Sequence, residues 1–157
     1  MYYSICFEGY LVCTGRVILT LICSYFDSCN RQLDFCVAID FTSSNGNPLQ
    51  PGTLHFQSDE VLNAYEESIT SIGNAIDQYN SESEYSVWGF GAKFTDGAVR
   101  HLFQCGSDPT VKGVEGILSA YRSIFRCGGF YMSGPTVFVK AIQAAAIKAR
   151  KNVSIVI

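Results

Sequence analysis

Apolar residues along this chain form short continuous runs separated by helically spaced positions, which predicts strands interleaved with helices. The run Leu33–Ile39 is mostly apolar and ends at Asp40, a pattern typical of a central strand covered on both faces. Further strands are predicted at 85–90 and 153–157, because these runs are apolar and rich in β-branched or aromatic residues. A shorter apolar run at 99–103 is predicted to be an edge strand.

Three helices are predicted between these strands. In the first, apolar residues recur at spacings of three and four, and Ser58 is expected to cap the helix. The apolar positions of this helix are Leu62, Tyr65, Ile69, Ile72, Ile76 and Tyr79. A second helix is predicted at about 114–125, and a third from Gly134 to about Lys151, with Pro135 in its first turn. Strands alternating with helices predict an α/β sheet with helices on both faces.

Composition narrows the class of protein. Hydrophobic residues make up 48% and charged residues 16% of the 157-residue chain, which is typical of a globular domain. The net charge of −3 argues against a broad surface for nucleic acid, so no nucleic-acid partner is predicted. The seven cysteines include no C-x-x-C pair, which argues against a zinc finger or ribbon. We interpret them as reduced thiols, which predicts a cytoplasmic protein.

Polar side chains follow the predicted central strand. Asp40, Thr42 and Ser44 occupy alternate positions, and alternate side chains share one face of an extended backbone. If the loop curls over the end of the strand, a carboxylate and two hydroxyls converge, and such oxygen ligands suit Mg²⁺ or Mn²⁺. The alternative is a polar turn whose hydroxyls bind backbone groups, and residues 40–44 alone favour that turn.

Three enzyme or cofactor sites are weaker alternatives. An aspartyl-phosphate phosphatase also has an aspartate after its first strand, but it needs a second acid where this chain has Thr42. A dinucleotide site needs a third glycine and a helix after Gly89 and Gly91. His101 and Cys105 could form a thiol nucleophile with its base, although two such residues rarely carry that meaning. No catalytic residue is therefore predicted.

Five stretches, in order along the chain, resemble the von Willebrand A-type (vWA) domain of the copine family. They are residues 37–48, Thr53-Leu54-His55-Phe56, Gly89-Phe90-Gly91-Ala92, residues 113–121 and Gly134-Pro135-Thr136. The resemblance implies a three-layer, Rossmann-like vWA domain with a mostly parallel central sheet over residues 31–157, truncated at its C-terminus. Residues 1–30 resemble the terminal strand of a C2 domain. A strand at 153–157 without a further neighbour is expected to have an unpaired outer edge.

The same resemblance implies a metal-ion-dependent adhesion site. Carried over residue by residue, its ligands are Asp40, Thr42, Ser44 and Thr136, and its ion is Mg²⁺ or Mn²⁺. The copine pattern Asp-x-Thr-x-Ser replaces the Asp-x-Ser-x-Ser of integrin-type domains, and the two hydroxyls are chemically equivalent ligands. A further aspartate of the family is expected just after residue 157.

In function, the resemblance implies an adaptor and not an enzyme. The domain is expected to bind target proteins that offer an acidic side chain to the metal. Copines also carry two C2 domains, which implies calcium-dependent binding to phospholipid, a role in membrane trafficking and signalling, and a cytoplasmic protein that becomes peripheral at the plasma membrane. Ca²⁺ is expected only through those C2 domains. The alternatives are the copine-like domain of a RING-type ubiquitin ligase and, less favoured, an aspartyl-phosphate phosphatase.

Overall fold

The computed structural model describes residues 6–7, 10–12, 33–77, 83–149 and 153–156. These residues form a mixed β-sheet with helices on both of its faces, and a second, smaller sheet lies beside it. The α/β fold predicted from the alternating pattern is confirmed.

Ten strands and three helices are described. The strands are β1 (Cys6–Phe7), β2 (Tyr10–Val12), β3 (Leu33–Asp40), β4 (Glu84–Phe90), β5 (Ala92–Phe94), β6 (Val99–Arg100), β7 (Phe103–Gln104), β8 (Val111–Lys112), β9 (Phe130–Met132) and β10 (Val153–Val156). The helices are α1 (Ala64–Asp77), α2 (Gly113–Cys127) and α3 (Val139–Ala149), with a 3-10 turn at Ser43–Asn45.

Strand β3 is the centre of the larger sheet, as its apolar pattern predicts. It pairs in parallel with β4 on one side, where Ala38 lies beside Trp88, and with β10 on the other, where Cys36 lies beside Val156. The order of strands is β1-β2-β10-β3-β4-β7, and β8 also pairs with β4. Pairs at the centre of this sheet are parallel, whereas β1–β2, β4–β7 and β4–β8 are antiparallel.

The two faces of the sheet carry different cores because successive side chains of a strand point in opposite directions. On one face, Val37 and Ile39 of β3 pack with the buried sides of α1 and α2, including Ile69, Ile117 and Tyr121. On the other face, a smaller cluster covers the sheet with helix α3. Its buried members are Ala38, Phe90, Ala141 and Ala145.

The region after β4 differs from the sequence-based prediction of one edge strand at 99–103. The structure divides it into β6, which pairs with β5 in the smaller sheet, and β7, which pairs with β4 in the larger one. The backbone of Gly91 has a φ of +77°, and the chain enters the smaller sheet at that point. The returning chain therefore follows β5 first and reaches β4 only at Phe103.

Helix α1 begins later than predicted, and its cap is Asn63 in place of Ser58. The side-chain Oδ1 of Asn63 accepts hydrogen bonds from the backbone N–H groups of Tyr65 and Glu66, each at 3.0 Å. In return, Glu66 Oε2 accepts from the N–H of Asn63 at 2.8 Å, which completes a capping box. Ser58 accepts from Glu60 in the loop before the helix.

Helix α3 also begins later than predicted, because it starts at Val139 and not at Gly134. Pro135 therefore lies before the helix and outside its first turn. The backbone N–H of Ser133 donates to the carbonyls of Phe41 and Gly91, so the chain is still bound to neighbouring loops at this point. Within the predicted first turn, the hydroxyl of Thr136 also donates to Thr42 Oγ1 at 3.2 Å, so this segment lies against the loop after β3.

The expectation of an unpaired outer edge on the last strand is wrong. Strand β10 pairs in parallel with β2, where Ser154 lies beside Tyr10. Most of residues 1–30 lie outside the described part of the chain, so the assignment to a C2 strand, the boundary at residue 30 and the C-terminal truncation stay predictions. No described helix combines the length and hydropathy that crossing a bilayer requires.

The cap of α1 gives a test of the fold. Replacing Asn63 with Ala removes two bonds to the helix and its bonds to the carbonyl of Phe56 and the hydroxyl of Tyr121. We expect Asn63→Ala to lower the free energy of unfolding by about 2 kcal/mol in urea denaturation. The matched control, Ser58→Ala, should cost less than about 0.5 kcal/mol. Equal costs for the two variants would contradict the capping assignment.

Candidate metal centre

The candidate site lies where β3 leaves the sheet. Phe41 follows the strand, and its N–H donates to the carbonyl of Phe90 at 2.9 Å. Its ring is fully buried and packs against five other aromatic rings, those of His55, Phe103, Tyr121, Phe125 and Phe130. This buried ring fixes the base of the loop, so the polar residues that follow are positioned relative to the core.

Three hydroxyl oxygens from two distant segments meet at this loop. Thr42 Oγ1 lies 3.1 Å from Ser44 Oγ, and the hydroxyl of Thr136 donates to Thr42 Oγ1 at 3.2 Å. Thr42 is buried, whereas Ser44 and Thr136 are exposed. The structure therefore brings the three predicted hydroxyl ligands together, with the open side of the cluster facing solvent.

The carboxylate of Asp40 is fixed beside this cluster. Its Oδ1 accepts a hydrogen bond from the backbone N–H of Thr42 at 2.8 Å, and the side chain is half-buried. Asp40 and the hydroxyl cluster thus belong to one compact turn. The role of these four residues as metal ligands stays a prediction.

The donor set and its spacing fit a hard divalent ion. Neighbouring oxygens around an octahedral Mg²⁺ with bonds of about 2.1 Å are about 3 Å apart. The hydroxyl separations of 3.1 and 3.2 Å are compatible with that value, and in this structure they are hydrogen bonds between the hydroxyls. Within the described ranges, no three side chains of the His, Cys, Asp and Glu types form a group that could hold a metal. A metal at this turn would therefore depend on hydroxyl ligands and one carboxylate.

The segment that carries Thr136 is attached directly to the loop after β3. Ser43 N–H donates to the carbonyl of Ser133 at 2.6 Å, and Ser133 N–H donates to Gly91 and Phe41. Gly91 allows this close approach, because a Cβ added there would lie 2.3 Å from Thr42 Cγ2. The turn at Gly91 is thus part of what holds the hydroxyls together.

Three side chains that the sequence analysis did not assign to the site bind the backbone carbonyl of Asp40. Asn45 Nδ2 donates to it at 2.8 Å, His55 Nε2 at 2.7 Å, and the hydroxyl of Tyr65 at 3.3 Å. Burial raises the pKa of Tyr65, so its hydroxyl keeps the proton that it donates. A histidine inside an otherwise apolar stretch, Leu54-His55-Phe56, was the signal available in the sequence.

His55 is fully buried between two aromatic rings. Its imidazole is stacked on Phe41, with ring centroids 5.2 Å apart, and on Tyr65 at 4.1 Å. Burial lowers the pKa of His55, and the hydrogen bond to Asp40 opposes that shift. A neutral imidazole can donate at one nitrogen and accept at the other, which suits the two partners described here.

The structure disfavours two of the alternative sites. Cys105 is buried in the main core, and burial raises the pKa of its thiol, so the thiolate needed for a nucleophile is suppressed. The glycine pair Gly89 and Gly91 is followed by strand β5 and not by a helix. That geometry lacks the helix N-terminus at which a dinucleotide site binds phosphate.

Comparison with known proteins gives the family of this chain. Residues 53–155 match the family model described as Copine, which is more than half of the chain. This chain belongs to the copine family. The copine match includes His55, the turn at Gly91 and Thr136, and it begins after Asp40, Thr42 and Ser44.

Curated relatives of this copine chain include a plant protein and a nematode protein. It is 38% identical over 128 residues to Protein BONZAI 1 of Arabidopsis thaliana. That alignment covers 78% of this chain and 22% of that protein. It is 35% identical over 144 residues to Nicotinic receptor-associated protein 1 of Caenorhabditis elegans, covering 88% of this chain and 22% of that protein. The copine chain thus spans about a fifth of the length of these relatives.

The turn at Gly91 gives a second test. In Gly91→Ala, the new methyl group would overlap Thr42, in a backbone conformation that L residues rarely adopt. Gly97→Ala is the matched control, because Gly97 has a φ of +81° and no atom within 4 Å of an added Cβ. We expect Gly91→Ala to cost about 1–3 kcal/mol more than Gly97→Ala in urea denaturation. Equal losses would contradict the close packing of Gly91 on Thr42.

Proposed function

We propose that this copine chain is a metal-dependent protein-interaction domain, in which Asp40, Thr42, Ser44 and Thr136 hold Mg²⁺ or Mn²⁺. The observation that carries the proposal is the meeting of three hydroxyl oxygens beside the carboxylate turn of Asp40. Thr42 Oγ1 contacts the hydroxyl of Ser44 in its own loop and that of Thr136, which is 94 residues away from Thr42. A chance polar turn would not require that long-range contact.

The electrostatics of the site favour an acidic partner. When bound, the cation supplies two positive charges, of which the single carboxylate of Asp40 neutralises one. Ser44 and Thr136 are exposed, so the outer side of the site is accessible to another protein. A carboxylate from a target protein would complete the charge balance and the oxygen coordination. The name of one relative, Nicotinic receptor-associated protein 1, states an association with another protein, in agreement with an adaptor role.

The remaining properties of the proposal come from the copine resemblance. They are calcium-dependent binding to phospholipid through C2 domains, a part in membrane trafficking and signalling, and a cytoplasmic protein that associates with the plasma membrane when calcium rises. Ca²⁺ belongs to those C2 domains, and Mg²⁺ or Mn²⁺ belongs to the turn at Asp40.

Removal of one charge tests the metal site. In Asp40→Asn, an amide oxygen can still accept from the N–H of Thr42, so the loop is retained while the negative ligand is lost. We expect Mn²⁺ affinity to fall by about tenfold or more in titration calorimetry, with an unchanged circular dichroism spectrum. The control is Asp108→Asn, which alters an exposed carboxylate bound to Ser107 and should leave the affinity unchanged. Unchanged affinity in Asp40→Asn would exclude Asp40 as a ligand.

The proposal also predicts that this chain has no phosphatase activity. The second acid that an aspartyl-phosphate enzyme needs is replaced by Thr42, whose hydroxyl contacts two other hydroxyls. We expect no hydrolysis of p-nitrophenyl phosphate above buffer at neutral pH with Mg²⁺ present. Turnover that is present in the wild type and lost in Asp40→Asn would instead support the phosphatase alternative.

A further inference from the structure

The backbone carbonyl of Asp40 accepts an unusual number of hydrogen bonds. A carbonyl oxygen has two lone pairs, and three side-chain donors converge on this one. Asn45 and Tyr65 lie on the loop and on helix α1, whereas His55 is fully buried and stacked on Phe41 and Tyr65. The His55 bond is the shortest of the three at 2.7 Å. The orientation of the Asp40–Phe41 peptide is therefore set from inside the protein.

The partners of His55 fix which nitrogen carries the proton. Nε2 faces the Asp40 carbonyl, which can only accept, so Nε2 bears the hydrogen. Nδ1 lies 2.8 Å from the hydroxyl of Tyr121 and accepts from it in the neutral ring. The Tyr121 oxygen in turn accepts from Asn63 Nδ2 at 3.1 Å. Donation thus runs in one direction, from Asn63 through Tyr121 and His55 to Asp40.

The ring of His55 has little freedom to leave this position. Phe41 and Tyr65 are stacked on its two sides with interplanar angles of 7°. Complete burial removes water as a competing partner for Nε2. The hydrogen bond from His55 Nε2 to the Asp40 carbonyl therefore has a fixed direction, because the plane of the ring and the protonated nitrogen are both fixed.

We propose that His55 is a positioning residue of the metal site, which orients the Asp40–Phe41 peptide and thereby holds the Asp40 carboxylate and Thr42 in the arrangement that binds the ion. The proposal rests on the function proposed above. Rotation of that peptide would move Thr42 N–H away from Asp40 Oδ1, which it contacts at 2.8 Å. The Thr42 hydroxyl, which bridges Ser44 and Thr136, would move with it.

Two substitutions separate positioning from packing. His55→Gln places an amide N–H near the position of Nε2 and keeps a donor for Asp40, but it gives up the acceptor for Tyr121. His55→Asn places its amide near Nδ1, so it keeps a partner for Tyr121 and loses the donor to Asp40. Both variants remove the stacked ring, and they differ from each other in size by one methylene group.

The readout is made on the metal-free and the Mn²⁺-loaded protein. We expect His55→Asn to lower Mn²⁺ affinity by about tenfold to a hundredfold, and His55→Gln to stay within about threefold of the wild type. In the metal-free protein, His55→Asn should speed hydrogen exchange of the Thr42 amide, and His55→Gln should not. Equal affinity and equal Thr42 exchange in the two variants would overturn the positioning role.

The amide measurement keeps the two proposals distinguishable. If the wild type binds no Mn²⁺, the proposed function fails, while the difference in Thr42 exchange still tests the action of His55 on the turn. If His55→Asn does not fold, His55→Phe replaces it, because that change keeps an aromatic ring beside Phe41 and Tyr65 and removes the donor to the Asp40 carbonyl. Faster Thr42 exchange in His55→Phe would support the role, and unchanged exchange would overturn it.

Discussion

The hydrogen bonding of one backbone group, the carbonyl of Asp40, connects the sheet, the loop and helix α1. It lies at the end of the central strand, where a carbonyl loses its regular place in the sheet and must find another partner. Asn45, His55 and Tyr65 supply that partner from three different segments. Asn45 lies just after β3, His55 lies further along the loop, and Tyr65 lies in helix α1. A movement of the end of the strand would therefore break hydrogen bonds to three parts of the chain.

The candidate site is built on the core through Phe41. Alternation along the strand buries Phe41 among aromatic rings, while Asp40 and Ser44 remain accessible. On the opposite face, Ala38 packs with Ala141 and Ala145 of α3, whose small side chains let the helix lie close to the sheet. The polar turn therefore rests on the buried ring of Phe41 on one side and is open to solvent on the other, as a binding site requires.

Much of the secondary structure follows from periodicity, but its boundaries do not. The runs at β3, β4 and β10 and the spacing within α1 and α2 predict these elements correctly. Two helix starts were wrong because long-range contacts decide them. Asn63 caps α1 while it also binds Tyr121 from another helix, and Thr136, in the predicted first turn of α3, donates to Thr42 in the loop after β3. Contacts between residues far apart in the chain cannot be predicted from local sequence. Local signals therefore predict helix starts at Ser58 and beside Pro135, although the helices begin later.

Neighbouring residues are enough to predict that Asp40 ends a buried strand and that Thr42 and Ser44 follow at alternate positions, because both features are local. Only the tertiary structure brought Thr136 to Thr42, across 94 positions, since that contact depends on the order of strands and on the turn at Gly91. The same holds for His55. Its type and neighbours indicate a buried residue, but its bond to Asp40 exists only once the rings of Phe41 and Tyr65 are stacked around it.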